Sequence, residues 1–439
     1  MGEYDSPKSD SGAHMTNSLP YHQDLRHCFD LVEGFDRQVL ETWLDQTRDT
    51  VATLRAAVGK GTYAFLDQPD RTDDLAAIEA AAKTLSKFST VVLLGTGGSS
   101  LGARALAALA DAGTGLGVKG KPRLIVAENV DPFAFERLIA DLDPKTTGAL
   151  IVSKSGGTAE TLSQAHALLP KLADPAAQAI ALTEPTDNAL ARLAKRYKLS
   201  TVDHPTTLGG RFSVLSAVGL IPAALLGLDI RALRKGAAMA RDAALADPLS
   251  SAPAQGAALA AAFNARGVRS TVLCPYVDAL APFAQWYAQL WAESLGKGGH
   301  GTTPIRALGT VDQHSQLQLW LDGPADKLVT VVARETKSAG PRYSKDALGD
   351  SSLDWLENRT MGDLLDVSWR ATVETLARRG RPVRVFTLPT LDETTLGALM
   401  MHFMLETVIA AALFDVEPFD QPAVEDGKRL ARAYLKGMA

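Results

Sequence analysis

Short apolar runs rich in β-branched residues alternate with longer segments of helical periodicity through most of this chain. The runs are typical of buried strands, and the segments between them are typical of helices that cover a sheet. Strands are predicted at 90–94, 123–128, 148–153, 178–183, 199–204, 270–276, 327–333 and 382–388. Buried strands joined by helices indicate an α/β fold with parallel sheets flanked by helices.

Helical segments without intervening strands frame and divide this alternation. They are predicted within 16–88, near 211–228 and 230–243, and at 391–413 and 421–437, with further helices around 286–295 and at 362–379. We interpret the chain as two α/β units joined near residues 235–255. The resulting domains are a leader at 1–15, a helical extension at 16–88, α/β domains at 89–240 and 241–415, and a C-terminal helix at 416–439.

The longest apolar stretch, residues 396–414, contains His402 and Glu406. Charged and titratable groups are costly in lipid, so a buried core helix is predicted there rather than a membrane span. The first 15 residues are polar and lack the apolar region of a secretory signal, and Met15 is an alternative start. These features predict a cytoplasmic protein.

The composition disfavours several classes of function. The chain has 439 residues, 46% of them hydrophobic, and a net charge of −5, which disfavours a nucleic-acid-binding protein. Its two cysteines, Cys28 and Cys274, are far apart and lack ligand-like neighbours. A reducing compartment is therefore expected, with neither a disulfide framework nor a zinc site.

Two glycine-rich turns follow predicted strands and open predicted helices. The first is GTGGSS at 95–100, and the second is SKSGGT at 153–158. Glycine lets backbone N–H groups converge on an anion, and a helix N-terminus favours negative charge. The first turn is also similar to a dinucleotide fingerprint, with Glu128 as the acid, but Ser100 occupies the third glycine position. The second turn, with three hydroxyls and a lysine, predicts a phosphate site that a dinucleotide enzyme does not require.

Three further constellations carry candidate chemistry. Arg211 follows two glycines at the start of a predicted helix and would place a fixed cation beside an oxyanion. Gln289 and Glu293 share one helical face in apolar surroundings, where a partly desolvated carboxylate suits a general base. His314 follows shortly after, in the stretch GTVDQHSQ. A last helical face near the C-terminus carries Gln421, Glu425 and Lys428.

Together these segments resemble the glucose-6-phosphate isomerase (phosphoglucose isomerase) family, in its shorter bacterial type. The matching segments, in the family's order over roughly residues 85–435, are LGTGGSSLGA, VSKSGGTAET, LGGRFSVLSAVGL, QLWAESLGK, GTVDQHSQLQLWLDG and FDQPAVEDGK. The resemblance implies two sugar-isomerase domains and a homodimer. It also implies interconversion of glucose 6-phosphate and fructose 6-phosphate without a metal or an organic cofactor.

The resemblance also implies roles for individual residues. Glu293 matches the base that moves a proton between C1 and C2 through a cis-enediol(ate), and Arg211 matches the arginine that stabilises this intermediate. His314 matches the ring-opening histidine, which in the family completes the partner's site. Glu160 matches the carboxylate that orients this histidine, and Lys428 matches a lysine assigned to ring opening. Substrate-binding positions are matched by Gly98, Ser99, Ser153, Lys154, Ser155, Thr158, Gln289 and Gln421.

Three departures from the family pattern concern details of affinity. Gly157 replaces a common threonine, Ser100 replaces a common acid, and Thr206 stands where an acidic or small residue is usual. The alternatives are a sugar-phosphate-binding regulator that shares the serine turns, an NAD-dependent oxidoreductase, and an isomerase that also accepts mannose 6-phosphate. The last is associated with threonine at the position of Gln289, so the glutamine favours the glucose-specific form.

Overall fold

The computed structural model of the chain describes residues 19–29 and 35–438. The predicted leader lies outside the described residues, as do positions 16–18 and 30–34 of the predicted helical extension. The strands of the described part, numbered in chain order, are β1 His22–Asp24, β2 Thr90–Leu94, β3 Arg123–Ala127, β4 Thr147–Val152, β5 Ala179–Thr183, β6 Ser200–Asp203, β7 Ser270–Pro275, β8 Thr303–Arg306, β9 Lys327–Arg334 and β10 Val383–Leu388.

The helices cover both sheets and connect most of the strands. They are α1 Arg37–Asp45, α2 Arg48–Ala57, α3 Ala64–Asp67, α4 Leu75–Leu85, α5 Leu101–Ala110, α6 Pro132–Asp141, α7 Ala159–Leu168, α8 Pro175–Gln178, α9 Ala189–Tyr197, α10 Ala217–Leu225, α11 Ile230–Ala246, α12 Ala252–Ala265, α13 Ala281–Leu295, α14 Leu317–Asp322, α15 Lys345–Leu348, α16 Met361–Arg378, α17 Glu393–Leu413 and α18 Glu425–Gly437.

The first sheet is wholly parallel, in the order β3-β2-β4-β5-β6. Its three interior strands, β2, β4 and β5, are almost entirely buried, because helices lie on both faces of the sheet. Each of its five strands lies within a predicted run or extends it by one residue. The carboxyl ends of these strands share one edge, so the turns that follow them meet there.

The second sheet has the order β1-β10-β9-β7-β8, and all its pairs are parallel except β1 with β10. The sequence patterns predicted β7, β9 and β10 but neither edge strand. The short strand β1 lies inside the segment that was predicted to be helical. β8 has the sequence TPIR, in which a proline obscures the strand pattern.

The region predicted to join the two units is not a loop. It contains the end of α11 and the start of α12, an alanine-rich helix that the patterns did not predict. Residue 240, the predicted domain boundary, lies inside α11. Helices α11 and α12 both pack on α17, and one apolar cluster includes residues of both α/β units.

Helix α17 is the central helix of this cluster. It is long and apolar enough to cross a membrane by composition, but 89% of its most apolar window is buried inside the protein. The prediction of a buried core helix at this position is confirmed.

A buried polar network explains how two titratable side chains fit into α17. Arg384 Nη1 donates to Glu406 Oε2 at 2.7 Å, and His402 Nε2 lies 2.9 Å from the same oxygen. His402 Nδ1 in turn lies 2.8 Å from the hydroxyl of Tyr21, next to β1. Burial lowers the pKa of His402 although Glu406 opposes this shift, so the ring is neutral and Nε2–H donates to Glu406. The network attaches the N-terminal strand to the core.

Candidate active site

The first glycine turn contacts the segment that carries Arg211, Gly210–Leu215, which we name the arginine loop. The contact is made by backbone atoms. Residues Gly97–Ser99 and Gly210–Leu215 each form a short 3-10 helix. A β-carbon on Gly98 would lie 2.3 Å from the carbonyl carbon of Gly210, so this approach requires glycine. Ser213 Oγ also donates to the Gly98 carbonyl oxygen at 3.3 Å. The two segments therefore form one unit at the carboxyl edge of the first sheet.

The neighbouring acid, Glu128, is engaged by protein groups. Ser100 Oγ donates to Glu128 Oε1 at 2.7 Å, and Arg104 pairs with the other carboxylate oxygen. A dinucleotide would need this carboxylate for its ribose hydroxyls. The arrangement therefore weighs against the NAD-dependent alternative.

The second turn, residues 153–158, lies at the same edge and precedes α7. Ser153 Oγ donates to Thr158 Oγ1 at 2.9 Å, and Lys154 Nζ lies 3.6 Å from Glu184. Gly156 has a φ of 63°, and a β-carbon there would lie 1.8 Å from the side-chain oxygen of Asn188. The turn is thus fixed in shape, and its hydroxyl side chains lie next to the start of α7, where backbone N–H groups favour an anion.

Arg211 is buried, and every N–H of its guanidinium has an acceptor. Nε donates to Ser294 Oγ at 2.9 Å, and Nη1 donates to Glu293 Oε2 at 3.1 Å and to Gln421 Oε1 at 2.7 Å. Nη2 donates to the carbonyl oxygens of Pro418 and Asp420. Burial lowers the pKa of the guanidinium although Glu293 opposes this shift. The result is a cation held in one orientation.

Glu293 stands near the end of α13, with its side chain 33% exposed. Gln289 Nε2, one helical turn earlier, donates to Glu293 Oε1 at 3.0 Å. Gln289 Oε1 is buried and has no hydrogen-bond partner among the described residues. Trp286, Leu290 and Trp291 of the same helix are buried. The carboxylate is therefore partly desolvated, held by one cation and one amide, and next to an unfilled acceptor.

His314 is not brought to Glu293 within one chain. Trp291 Nε1 donates to Thr302 Oγ1 at 2.9 Å, which places the end of α13 at the amino edge of the second sheet. The Gly309 N–H donates to the Pro275 carbonyl oxygen, which places the segment before His314 at the carboxyl edge. The two side chains thus belong to opposite edges of this sheet, and His314 is exposed.

Two other predicted residues lie outside these contacts. Glu160 is exposed in the first turn of α7. Lys428 lies on α18, of which no residue is buried, and its ammonium is 2.7 Å from Glu425 Oε1. Among the described residues neither has a hydrogen bond to Glu293 or Arg211. Their roles in catalysis stay predictions.

Three residues that no sequence pattern predicted surround Arg211 and Glu293: Ser294, Lys297 and Asp420. Lys297 Nζ donates to the Ser294 carbonyl oxygen at 3.0 Å and lies 3.2 Å from Asp420 Oδ1. The only signal available was the proximity of these residues to the matched segments QLWAESLGK and FDQPAVEDGK. Among residues 19–29 and 35–438, no group of three His, Cys, Asp or Glu side chains is placed to hold a metal ion.

Acid should destabilise the arginine loop through His204, which precedes it. This side chain is buried, its Nδ1–H donates to the Pro205 carbonyl oxygen, and burial lowers its pKa to about 4. Between pH 6.5 and 4 the unfolded chain binds a proton here that the folded chain does not. The free energy of unfolding should therefore fall as pH falls, by up to about 3 kcal/mol from this group. His402 acts in the same direction.

Urea unfolding at several pH values checks this prediction. The variant His204→Asn keeps an N–H donor but cannot titrate, so its stability should depend less steeply on pH between 6.5 and 4 than that of the unmodified protein. His166→Asn, at an exposed position on α7, is the matched control. Equal slopes for all three proteins would contradict the prediction.

Comparisons with known proteins identify a family that this chain matches. The model of the phosphoglucose isomerase family matches residues 65–324. A glucose-6-phosphate isomerase of Rubrobacter xylanophilus is 39% identical over 94% of this chain and 97% of the relative. One from Thermus thermophilus is 35% identical over 90% of this chain and 95% of the relative.

Solved structures extend the agreement to the fold. A crystal structure of a hypothetical Thermus thermophilus protein matches with a TM-score of 0.85 and 33% identity, over 94% of this chain and 99% of that one. A glucose-6-phosphate isomerase of Chlamydia trachomatis shares the fold, with a TM-score of 0.76 at 21% identity over 92% of this chain and 87% of that one. The chain therefore belongs to the phosphoglucose isomerase family.

Proposed function

We propose that this protein interconverts glucose 6-phosphate and fructose 6-phosphate. The observation that carries the proposal is the pairing of Glu293 with Arg211 at 3.1 Å, beside the buried amide oxygen of Gln289, which has no hydrogen-bond partner among the described residues. A base next to a fixed cation suits the removal of a proton α to a carbonyl, because the cation stabilises the charge that develops on oxygen.

The second glycine-rich turn, residues 153–158, is the proposed phosphate turn, and it supplies binding energy away from the reacting carbons. Ser153, Ser155, Thr158 and the start of α7 would hold the phosphate group, with Lys154 beside them. This fixes the sugar relative to Glu293, which takes the proton from C2 of the aldose and returns it to C1. Arg211 stabilises the enediolate oxygen while the proton is on the carboxylate. Binding remote from the reacting atoms contributes to the rate by orienting them.

The cyclic sugar must open first, and we assign this step to His314 of a second copy of the chain. Glu293 lies 12 residues into α13, about 18 Å along the helix axis from its start at the carboxyl edge. His314 lies at that carboxyl edge and is exposed, so it is free to enter another subunit. Val311 and Leu319 beside it are also exposed, which supports a protein contact there. A homodimer would give each site a base from one subunit and a histidine from the other.

A coupled assay tests the proposed reaction. Fructose 6-phosphate is supplied, and the glucose 6-phosphate formed is oxidised by an added dehydrogenase. Turnover supports the proposal, and its absence in correctly folded protein would overturn it in favour of a sugar-phosphate-binding protein. Mannose 6-phosphate should be turned over poorly, because the family resemblance associates dual specificity with threonine at the position of Gln289. A thermal shift caused by NAD would favour the oxidoreductase alternative.

Complementation tests the shared site. We expect Glu293→Gln and His314→Asn to be nearly inactive when each is expressed alone. Co-expression gives mixed dimers in which one site has an intact Glu293 and an intact His314, so up to about a quarter of the activity should return, since half the dimers are mixed and each has one intact site of two. If His314 served its own chain's site, co-expression would restore nothing.

A further inference from the structure

Residues 417–421, which we name the C-terminal strap, lie between the core helix α17 and the exposed helix α18. Two cationic side chains, those of Arg211 and Lys297, bind the strap. Arg211 donates to two of its carbonyl oxygens and to the side chain of Gln421. Lys297 donates to the Glu417 carbonyl oxygen and pairs with Asp420. The strap is thus attached to the site by charge-assisted hydrogen bonds.

Lys297 reaches the strap from the helix that carries the base. It follows the last turn of α13, and its ammonium also donates to the Ser294 carbonyl oxygen at 3.0 Å. Only 15% of its side chain is exposed, and burial lowers its pKa although Asp420 opposes this shift. One ammonium group therefore ties the end of α13 to the strap. The strap is also held by Arg211, by the aromatic contacts of Phe419 and by a hydrogen bond from the Phe419 N–H to Glu417 Oε1.

The packing of Phe419 fixes the middle of the strap. The ring of Phe419 packs on Phe212, next to Arg211, at a centroid distance of 5.3 Å, and on Tyr63 at 5.4 Å. It does not fix the polar groups on either side of it. Asp420 and Gln421 are exposed, so their placement depends on the two cations.

We propose that Lys297 is a positioning residue that holds the strap so that Gln421 stays at Arg211 and α18 starts from a fixed point. This inference rests on the proposed function and on the substrate-binding position that the family resemblance implies for Gln421. Lys297 itself touches neither the base nor the proposed path of the proton. Its loss should therefore weaken substrate binding more than it slows the proton transfer.

The test compares Lys297→Met with Lys297→Arg. We expect the methionine variant to raise KM for fructose 6-phosphate about tenfold, the effect of losing roughly one charge-assisted hydrogen bond, while kcat changes less than about threefold. The arginine variant keeps the charge and should recover most of the lost affinity. Asp420→Asn should raise KM in the same direction but by less, because the Glu417 carbonyl contact remains.

Lys327→Met is the matched control. Lys327 is also mostly buried and also paired with an aspartate, Asp326, but it lies on β9. The Lys327→Met variant should leave the KM for fructose 6-phosphate unchanged. A KM for Lys297→Met no higher than that of this control, or a loss confined to kcat, would overturn the positioning role.

Hydrogen exchange of residues 417–424 provides a second measurement that needs no activity. Exchange should be faster in Lys297→Met than in the unmodified protein and the Lys327→Met control. Unchanged exchange would overturn the inference even if KM rises. If the unmodified protein were inactive, the proposed function would fail on its own, while the exchange measurement would still decide whether Lys297 holds the strap.

Discussion

Replacing Glu293 by glutamine should lower kcat for fructose 6-phosphate by about 10²–10⁴-fold, the usual contribution of a positioned general base. Glutamine has nearly the same shape, and its amide oxygen can still accept a hydrogen bond from Gln289 or Arg211. It cannot accept the substrate proton. Steady-state kinetics with the coupled assay measures the loss.

The physical signature of this variant is a loss in kcat with little change in KM. Substrate contacts of the phosphate turn remain, so binding should persist. Exchange of the C1 hydrogen of fructose 6-phosphate with solvent should fall in parallel with turnover, because both require the same proton transfer. Glu136→Gln, at an exposed position on α6, is the control. A Glu293→Gln variant with turnover near that of the unmodified protein would exclude Glu293 as the base.

The largest effect on stability should come from Glu406→Gln. This change leaves the Arg384 guanidinium buried without its counter-charge, which typically costs about 3–5 kcal/mol of unfolding free energy. Both side chains are almost fully buried, at 3% and 1% exposure. The midpoint of urea unfolding measures the change, and a loss below about 1 kcal/mol would contradict the expectation, since that is the range of surface pairs.

Two further variants separate burial from pairing. Glu374→Gln breaks the exposed pair with Arg378 on α16 and should cost less than about 1 kcal/mol. Arg384→Met combined with Glu406→Gln removes both buried charges and keeps an acceptor for His402. The double variant should be more stable than Glu406→Gln alone, because no uncompensated charge remains.

Strands whose burial is set by local sequence were predictable, and those created by distant contacts were not. The central strands carry apolar β-branched runs, and such a run predicts a buried strand from the local sequence alone. β1 is three polar residues, and it exists because it pairs with β10 and because Tyr21 contacts His402. α12 is apolar on every side, so no periodicity distinguished it from a linker.

In the candidate site, too, contacts between residues close in sequence were predictable, and contacts between distant residues were not. The shared face of Gln289 and Glu293 follows from a spacing of four residues and was predicted. The pairing of Arg211 with Glu293 joins residues 82 positions apart, and only the family resemblance indicated it. Lys297 was missed because its partners, Glu417 and Asp420, are brought to it by the path of the chain after α17. No periodicity encodes such a contact.

Every N–H of the Arg211 guanidinium already donates a hydrogen bond, and this determines which ligands the site can distinguish. A ligand oxygen reaches the guanidinium only by replacing one of the oxygens already bound to it, most of which are neutral. Replacing one neutral oxygen by another changes little, so an unreacted carbonyl gains almost no affinity from Arg211. An oxygen that carries charge makes a hydrogen bond roughly twice as strong. The exchange thus discriminates by charge, and small anionic enediolate mimics should outcompete neutral sugar analogues of the same shape.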